Sequence, residues 1–159
     1  MESKNLICGQ GSCTDKSIRV RLTELTDDEI AYYGIRHIEG ETVRKEILIT
    51  QEYVICHCED DLTWEILAEV SDLSPGYLQK LYRKWCCLRL HDFQKLCRME
   101  KAAVYLEETT LSIKEICSAV GMKNTSYFSA IFRQVYGLSP KEYRQIYGGC
   151  PKQYRQIFG

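Results

Sequence analysis

The sequence has no long run of apolar residues. None of its apolar stretches approaches the roughly 20 residues that a membrane-spanning helix needs. The first fifteen residues also contain no apolar stretch of the length that a signal peptide needs. From these two absences we expect a cytoplasmic protein that has no membrane partner.

A marked excess of positive charge is absent as well. Lys and Arg number 21, Asp and Glu number 22, and the net charge is −1. Residues 1–60 contain twelve acidic and seven basic residues, whereas residues 61–148 contain ten acidic and twelve basic residues. The acidic character therefore lies in the first third of the chain. The remainder is able to bind nucleic acid, although its charge does not require it.

Cysteine, in contrast, is abundant, with nine residues. Their odd number and irregular spacing argue against a framework of disulfides. In a reducing compartment we expect them to be thiols, metal ligands or small core residues. Cys86, Cys97 and Cys117 lie on or beside apolar helical stripes and are predicted to be core residues.

Two pairs of cysteines form a candidate metal site in the first third of the chain. Thiolates of Cys8, Cys13, Cys56 and Cys58, together with the imidazole of His57, suit Zn²⁺ or another thiophilic ion. Their spacing is not that of a standard zinc ribbon or finger, so the alternative is unligated thiols in a flexible arm and a strand. A metal here would make the protein a metal- or thiol-responsive sensor.

The first 60 residues are predicted to form a small, partly β segment that resembles a β-meander. Ile18, Val20 and Leu22 alternate with polar residues, which is typical of a half-buried strand. The aromatic and β-branched residues of Glu29–Ile38 and Val43–Cys58 indicate further strands. A three-stranded meander is marginal alone, so this segment would pack on the rest of the chain or form a homodimer interface. A regulatory role is the other possibility.

From Asp61 the apolar residues follow the helical period, and a helix, a tight turn and a second helix occur twice. The first pair is Thr63–Val70 and Ser74–Lys84, and the second is Ser112–Val120 and Thr125–Val135. A further helix near Asp92–Glu107 joins the pairs. We therefore predict a mainly α fold with two helix-turn-helix subdomains joined by a long helix.

Local signals mark the ends of these helices. Ser74, Ser112 and Ser139 are typical N-caps, and the last two have a Glu three residues later, which completes a capping box. Gly121 and Gly137 stand where helices should end. After this domain, Pro140–Gly148 recurs as Pro151–Gly159, so residues 149–159 are interpreted as a duplicated C-terminal tail.

The helical part resembles the DNA-binding domain of the AraC/XylS family over residues 61–148. The first half is carried by Thr63–Ala68, Leu73–Leu78 and Arg98–Ala102. The second half is carried by Ser112–Ile116, Val120-Gly121, Ser126–Phe128, Phe132-Arg133, Tyr136-Gly137, Ser139-Pro140 and Tyr143-Arg144. The resemblance implies seven helices, two DNA-reading units and a bacterial transcription regulator that binds double-stranded DNA. Such a regulator contacts RNA polymerase if it is an activator.

Several positions depart from the family pattern. Position 122 is Met where Phe is usual, and position 130 is Ala where a residue able to reach a base is frequent. Cys86 and Cys87 stand where a Gly usually ends the first recognition helix. A non-Gly residue in the left-handed conformation there would cost about 1 kcal/mol.

By this resemblance, the solvent-facing residues of the second helix of each pair read DNA. The expected base-contacting residues are Gly76, Tyr77, Gln79, Lys80, Asn124, Thr125, Ser126, Ser129 and Ala130. The expected phosphate-contacting residues, which set register rather than sequence, are Ser74, Arg83, Lys84, Lys123 and Arg133. Gln79 suits an adenine edge and Lys80 a guanine or a phosphate, whereas the short polar groups of the second unit discriminate less strongly.

The two recognition helices are expected to enter successive major grooves on one side of a duplex, about 34 Å apart, with bending of the DNA if they lie closer. Transcription regulation without enzymatic activity is the main prediction. A cysteine alkyl-acceptor for DNA repair is a weaker alternative, in which Cys56 or Cys58 would be the nucleophile. A third alternative is that the acidic first segment serves as a protein-interaction module.

Overall fold

A computed structural model of the chain describes residues 34–36 and 38–149. These residues contain seven α-helices. The helices are α1 (Lys45–Cys56), α2 (Trp64–Ser71), α3 (Pro75–Trp85), α4 (Leu90–Glu108), α5 (Ile113–Ala119), α6 (Thr125–Tyr136) and α7 (Pro140–Tyr147). No sheet is present in this part of the chain, so the prediction of a mainly α fold is confirmed. None of the seven helices has the length and apolar character needed to cross a bilayer.

The chain divides into two units, with the boundary between Gln94 and Lys95. One helix-turn-helix pair, α2–α3, lies in the first unit, and the other, α5–α6, lies in the second. Helix α4 begins in the first unit and ends in the second. The predicted strand at Ile18, Val20 and Leu22, the cysteines at 8 and 13, and the tail repeat from position 150 lie outside the described residues.

The strand prediction for Val43–Cys58 is wrong, because Lys45–Cys56 forms helix α1. Its β-branched residues favour a strand locally, but its buried residues, Ile47, Leu48, Thr50, Gln51 and Val54, are spaced as one face of a helix. That face packs against α2 and α3, and this packing outweighs the local preference. The packed unit therefore includes residues ahead of position 61, where the sequence placed the start of the DNA-binding domain.

Helix α3 is held to its two neighbours by its tyrosine at position 82. The Tyr82 hydroxyl donates a buried hydrogen bond of 3.0 Å to the Gln51 side-chain carbonyl of α1. The ring meets Trp64 of α2 edge to face, with 5.3 Å between the ring centroids. Because Gln51 is only 1% exposed, losing this bond would leave a buried amide oxygen poorly solvated. Tyr82 thus fixes the inner face of α3 in the first unit.

The end of α3 differs from the expectation for Cys86. This residue is extended (φ −91°, ψ 136°), so no left-handed residue is needed and the expected strain does not arise. Instead, Ile35 forms an antiparallel bridge with Cys86. The Arg36 N–H donates to the Trp85 carbonyl at 2.6 Å, and the Cys87 N–H donates to the Gly34 carbonyl at 2.8 Å. The chain ahead of α1 therefore satisfies polar groups at the end of this helix.

Both helix-turn-helix turns use a left-handed residue nine positions after the N-cap of their first helix. In the second unit this residue is Gly121 (φ 79°), and in the first it is Asp72 (φ 56°). Asp is one of the few residues other than glycine that adopt this conformation readily. The first helices are capped by Thr63 and Ser112, whose hydroxyls accept hydrogen bonds from the backbone N–H groups three residues later. The same turn is therefore formed with two different residues.

The second unit is built around two phenylalanines of α6. Phe128 and Phe132 are fully buried, as are Met99 and Leu106 of α4 and Ile116 of α5. Cys117 and Met122 also belong to this core, and the Cys117 thiol donates to the Met122 carbonyl at 3.3 Å. Cys86 and Cys97 are buried too, so the prediction that these three cysteines are core residues is confirmed.

Helix α7 is anchored to the end of α4 by polar contacts. The Tyr143 hydroxyl donates to the carboxylate of Glu107 at 2.6 Å, and Glu107 is 7% exposed. Arg144 donates to the carbonyls of Leu106 and Leu111. The Tyr143 ring also packs edge to face on Phe132, with 5.3 Å between the centroids. These contacts give the motif Tyr143-Arg144 a structural role in the second unit.

Replacing Tyr143 by Phe tests this anchor. The change removes the hydroxyl and leaves the Glu107 carboxylate without that donor, so we expect the free energy of unfolding to fall by about 1–3 kcal/mol. The measurement is urea unfolding followed by circular dichroism. Tyr147→Phe is the matched control, because the Tyr147 ring contacts Tyr143 at a tilt but is 38% exposed. Equal stability of the two variants would contradict the proposed role of the hydroxyl.

The two capping boxes make the second unit sensitive to acid. The Ser112 backbone N–H donates to Glu115 at 2.7 Å and the Ser139 N–H donates to Glu142 at 2.7 Å. These bonds hold the pKa of both carboxyls below their ordinary value of 4.5. A carboxyl with a lowered folded-state pKa adds stability above its unfolded pKa, and this stability is lost as the pH falls through the folded value.

We therefore expect Glu115→Gln to be less stable than the wild type at pH 7, with a difference that shrinks as the pH falls below about 4.5. Unfolding free energies between pH 7 and pH 3 measure this. The control is Glu69→Gln, since Glu69 is exposed and belongs to neither capping box. A constant difference between wild type and Glu115→Gln across this range would show that the charge of the carboxylate does not matter.

Candidate nucleic-acid interface

Helix α3 has one buried face and one exposed face. Ser74 caps its start by accepting a hydrogen bond from the Tyr77 N–H at 3.4 Å, and Pro75 is its first residue. The buried face consists of Leu78, Leu81, Tyr82 and Trp85. The remaining positions of the helix are therefore the ones available to a ligand such as DNA.

The structure places most predicted contact residues of the first unit on this exposed face. Gly76, Lys80 and Arg83 lie opposite the buried face, spaced three or four residues apart, and all are exposed. Tyr77 and Lys84 lie on one flank of the face, seven residues apart. Ser74 is exposed at the N-cap, and Gln79 is half-buried on the opposite flank. The helix thus presents polar and cationic groups together.

The flank that carries Gln79 borders an open cavity of about 640 Å³. Gln79 and Arg83 of α3 line it together with Trp64, Tyr82, Arg36, Cys86, Cys87 and Leu88–His91. Three of these residues are arginines, at positions 36, 83 and 89, so the cavity is cationic. Arg36, Arg89 and His91 were not among the predicted site residues, because nothing in the local sequence indicates that they lie beside α3.

The opposite flank of α3 contacts the segment ahead of α1. Lys84 forms an ion pair with Glu41, and the two side chains are both 46% exposed. Arg44 donates from Nη1 to the Tyr77 hydroxyl at 2.6 Å, and its guanidinium carbon lies 5.7 Å from the Tyr77 ring centroid. Glu46 accepts from Arg44 at 3.3 Å, and this bond raises the pKa of Arg44 above its ordinary value. Neither Glu41 nor Arg44 was predicted to belong to the site.

Helix α6 presents the corresponding face in the second unit. Asn124 caps it, accepting a hydrogen bond from the Tyr127 N–H at 2.8 Å. Ser126, Ala130 and Arg133 are exposed on the face opposite the buried phenylalanines, whereas Thr125 and Ser129 are half-buried. Lys123 and Asn124 are exposed just ahead of the helix. Tyr127 is 48% exposed on the first turn of α6, although it was not among the predicted contact residues.

The two recognition helices correspond position by position but differ in charge. Counted from the N-cap, the third residue is a tyrosine in both, Tyr77 and Tyr127, and the ninth is an arginine in both, Arg83 and Arg133. The sixth is Lys80 in the first helix and Ala130 in the second, and the tenth is a lysine in the first and a glutamine in the second. The first helix therefore carries three cations on its exposed side, and the second carries one.

The predicted metal ligands are only partly described. Cys56 is partly exposed at the last position of α1, and Cys58 follows in the turn with 1% exposure. Within residues 34–36 and 38–149, no group of three or more His, Cys, Asp or Glu residues could hold a metal ion. Because the other two cysteines of the site, Cys8 and Cys13, lie outside that part, the zinc site stays a prediction.

Of the described cysteines, Cys58 and Cys86 offer little to a thiol-transfer reaction. The thiol of Cys58 is buried, which keeps an alkylated substrate away from it. Burial also raises the pKa of the Cys86 thiol to about 12, so it stays protonated at neutral pH. Cys87 is exposed at the rim of the cavity beside α3.

Comparison with known proteins identifies relatives of the helix-turn-helix part of the chain. A helix-turn-helix domain family matches residues 67–146, which run from the middle of α2 to the last turn of α7. The regulatory protein PocR of Salmonella typhimurium is 37% identical over 91 residues, covering 57% of this chain and 30% of PocR. The uncharacterized HTH-type transcriptional regulator YpdC of Escherichia coli is 34% identical over 82 residues, covering 52% of this chain and 29% of YpdC. The chain thus spans less than two thirds of these relatives.

A solved structure matches over nearly its whole length. The C-terminal domain of AraT, a response regulator from Geobacillus stearothermophilus, is 31% identical, with a TM-score of 0.60. The match covers 70% of this chain and 93% of that domain. Because the family model matches half of the chain, the chain belongs to the AraC/XylS family of helix-turn-helix transcriptional regulators.

Proposed function

We propose that the chain binds double-stranded DNA with sequence specificity and regulates transcription. The observation that carries the proposal is the repeated design of α3 and α6. Each is capped by a side chain, buries one face and exposes an opposite face of polar and cationic residues. Helices of this kind insert into the major groove, where their N-terminal residues contact base edges. We place α3 and α6 in successive major grooves of one site.

The first unit is proposed to supply most of the base discrimination. Lys80 suits a guanine edge, and Gln79 suits an adenine edge. In the second unit the corresponding residues are Ala130 and Ser129, which offer a methyl group and a short hydroxyl. Ser126 and Thr125 add further short hydroxyls, and each gives weaker discrimination than a long side chain that forms two hydrogen bonds to one base. We therefore expect the two halves of the operator to contribute unequally to sequence specificity.

Phosphate contacts are proposed on both flanks of α3. A helix in the major groove lies between two sugar-phosphate strands, so cations on its flanks face phosphates. Arg83, Arg36 and Arg89 line the cavity on one flank and would hold one strand there. In the second unit, Lys123 and Arg133 are the corresponding cations. Ser74 adds a contact at the N-cap of α3, where the helix dipole favours an anion.

Partners other than DNA follow from this function rather than from a contact in the structure. RNA polymerase is the expected partner if the operator is placed for activation. A homodimer through the segment of the first 60 residues and a cytoplasmic location are further parts of the proposal. None of these is needed for the insertion of α3 and α6.

Selection of bound duplexes from a random-sequence pool tests the proposal. We expect an enriched site with two short blocks about one helical turn apart, in which the block read by the first unit carries more information. Gln79→Ala should relax the preference at one base pair of that block, while Ser129→Ala, its counterpart in the second unit, should relax little. Failure of a folded wild-type protein to enrich any site would refute sequence-specific binding. Repeating the selection with Zn²⁺ and reductant tests the proposed metal sensor.

The salt dependence of DNA affinity shows which of these cations contact phosphates. Each released counterion contributes about one unit to the slope of log affinity against log salt. We expect Arg83→Gln and Arg89→Gln each to lower the slope by about one unit for every duplex alike. Lys84→Gln should lower it by less, because Glu41 already neutralises this ammonium group. An undiminished slope for Arg83→Gln, or a full unit for Lys84→Gln, would show that the strand follows a different path.

A further inference from the structure

The residues ahead of α1 contact the first recognition helix outside the stretch that the family match covers. Arg44 is the N-cap residue of α1 and lies 33 positions before Tyr77 in the sequence. Its guanidinium donates to the Tyr77 hydroxyl at 2.6 Å and lies over the ring, 5.7 Å from its centroid. Tyr77 itself is 43% exposed on the first turn of α3. An exposed tyrosine on the reading helix is thus held in place from one side.

Arg44 is itself fixed by Glu46. Nε of Arg44 donates to one carboxylate oxygen of Glu46 at 3.3 Å, and Nη2 donates to the other at 3.4 Å. The two groups therefore meet as a fork, which restricts the guanidinium more than a single hydrogen bond does. Glu46, Arg44 and Tyr77 form a chain of hydrogen bonds that ends at the phenol oxygen. The positive charge of Arg44 is balanced by Glu46 within this chain.

The direction of the last hydrogen bond decides what Tyr77 can offer. A phenol carries one O–H donor as well as acceptor lone pairs. Because the Tyr77 oxygen accepts from Arg44, its own hydrogen remains available to a group outside the protein. Tyr77 lies on the flank of the exposed face, beside Lys84, where a DNA strand would pass. The acceptor that fits this place is a phosphate oxygen.

The second unit contains the same tyrosine without this support. Tyr127 occupies the equivalent position of α6 and is 48% exposed. Within residues 34–36 and 38–149, its hydroxyl has no hydrogen-bond partner. The two tyrosines therefore differ in preorganisation rather than in chemistry, which makes Tyr127 a natural control for Tyr77.

We propose that Arg44 is a positioning residue for DNA binding, which orients the Tyr77 hydroxyl to donate to a phosphate of the strand beside the first recognition helix. The proposal rests on the DNA binding proposed above. Fixing the ring before binding reduces the rotational entropy that the tyrosine loses in the complex. A phosphate contact of this kind adds affinity and sets register without reading sequence.

A double-mutant cycle on the selected duplex tests the pair. We expect Tyr77→Phe and Arg44→Met each to weaken binding about three- to tenfold, the usual effect of one hydrogen bond. The double variant should bind no worse than Tyr77→Phe, because Arg44 acts through the hydroxyl. Arg44→Met combined with Tyr127→Phe should instead show independent effects. If the two losses of affinity multiply in the double variant Arg44→Met/Tyr77→Phe, the proposal is overturned.

The slope of affinity against salt separates positioning from direct contact. Because Arg44 is paired with Glu46, we expect Arg44→Met to leave the slope unchanged, in the wild type and in the Tyr77→Phe background. A loss of about one unit would mean that the guanidinium itself binds a phosphate, which overturns the positioning role. Base preference in the random-pool selection should also be unchanged by Tyr77→Phe, and a changed preference would mean a base contact instead.

Two further measurements keep the outcomes distinct. Glu46→Gln leaves Arg44 in place but loosens its fork, so it should weaken DNA binding, and by less than Arg44→Met does. If DNA binding is unchanged in either variant, the proposal is overturned. Thermal unfolding of each variant verifies that it folds. If the wild-type protein binds no duplex selectively, the proposed function fails as well, whereas selective wild-type binding that is insensitive to Arg44 refutes only the positioning role.

Discussion

Burial of one face of each recognition helix is the constraint on which the interface depends. In the second unit, Phe128 and Phe132 are fully buried against α4 and α5, and in the first unit Leu78 and Tyr82 are buried beside α1 and α2. Burying an aromatic or leucine side chain contributes about 1.5–3 kcal/mol, so rotating either helix about its axis would lose several such contributions. The orientation of the polar face is thus set by the apolar one.

The chain ahead of the first helix-turn-helix pair completes the first unit. Helix α1 covers the inner side of α3, and the backbone of Gly34–Arg36 pairs with its end. Glu41 and Arg44 contact the flank of the same helix. The core of the unit and the surroundings of its reading face therefore both draw on residues that precede the matched family region. This explains why Lys84 and Tyr77 have protein partners, whereas Tyr127 of the second unit lacks one for its hydroxyl among the described residues.

The difference between the two units is chemical rather than architectural. Both have a capped first helix, a turn through a left-handed residue and a tyrosine on the first turn of the second helix. The first unit adds a lysine at the centre of the reading face and three arginines around the adjoining cavity. In the second unit, α7 is instead anchored by its aromatic contacts with α6 and by the hydrogen bond from Tyr143 to Glu107. These residues support the proposal that the first unit discriminates bases more strongly than the second.

The sequence by itself determined the positions of α2 to α7 and of both turns. Their signals are local: apolar residues at the helical period, Ser caps, and glycines at helix ends, all of which act within a few residues. The family resemblance indicated the exposed residues of α3 and α6 but did not include Tyr127 among them, because periodicity alone does not show where the buried stripe stops. The sequence did contain a signal that Tyr127 is exposed, because it occupies the same position in its helix as Tyr77, a predicted contact residue.

Only the tertiary structure decided the identity of α1 and the surroundings of α3. The β-branched residues of Lys45–Cys56 favour a strand, and the helix forms because it buries Ile47 and Val54 against two other helices. The contacts of Lys84 with Glu41 and of Tyr77 with Arg44 join residues 43 and 33 positions apart. No local pattern encodes such pairs, since they exist only once α1 has packed beside α3 and brought the preceding segment onto its flank.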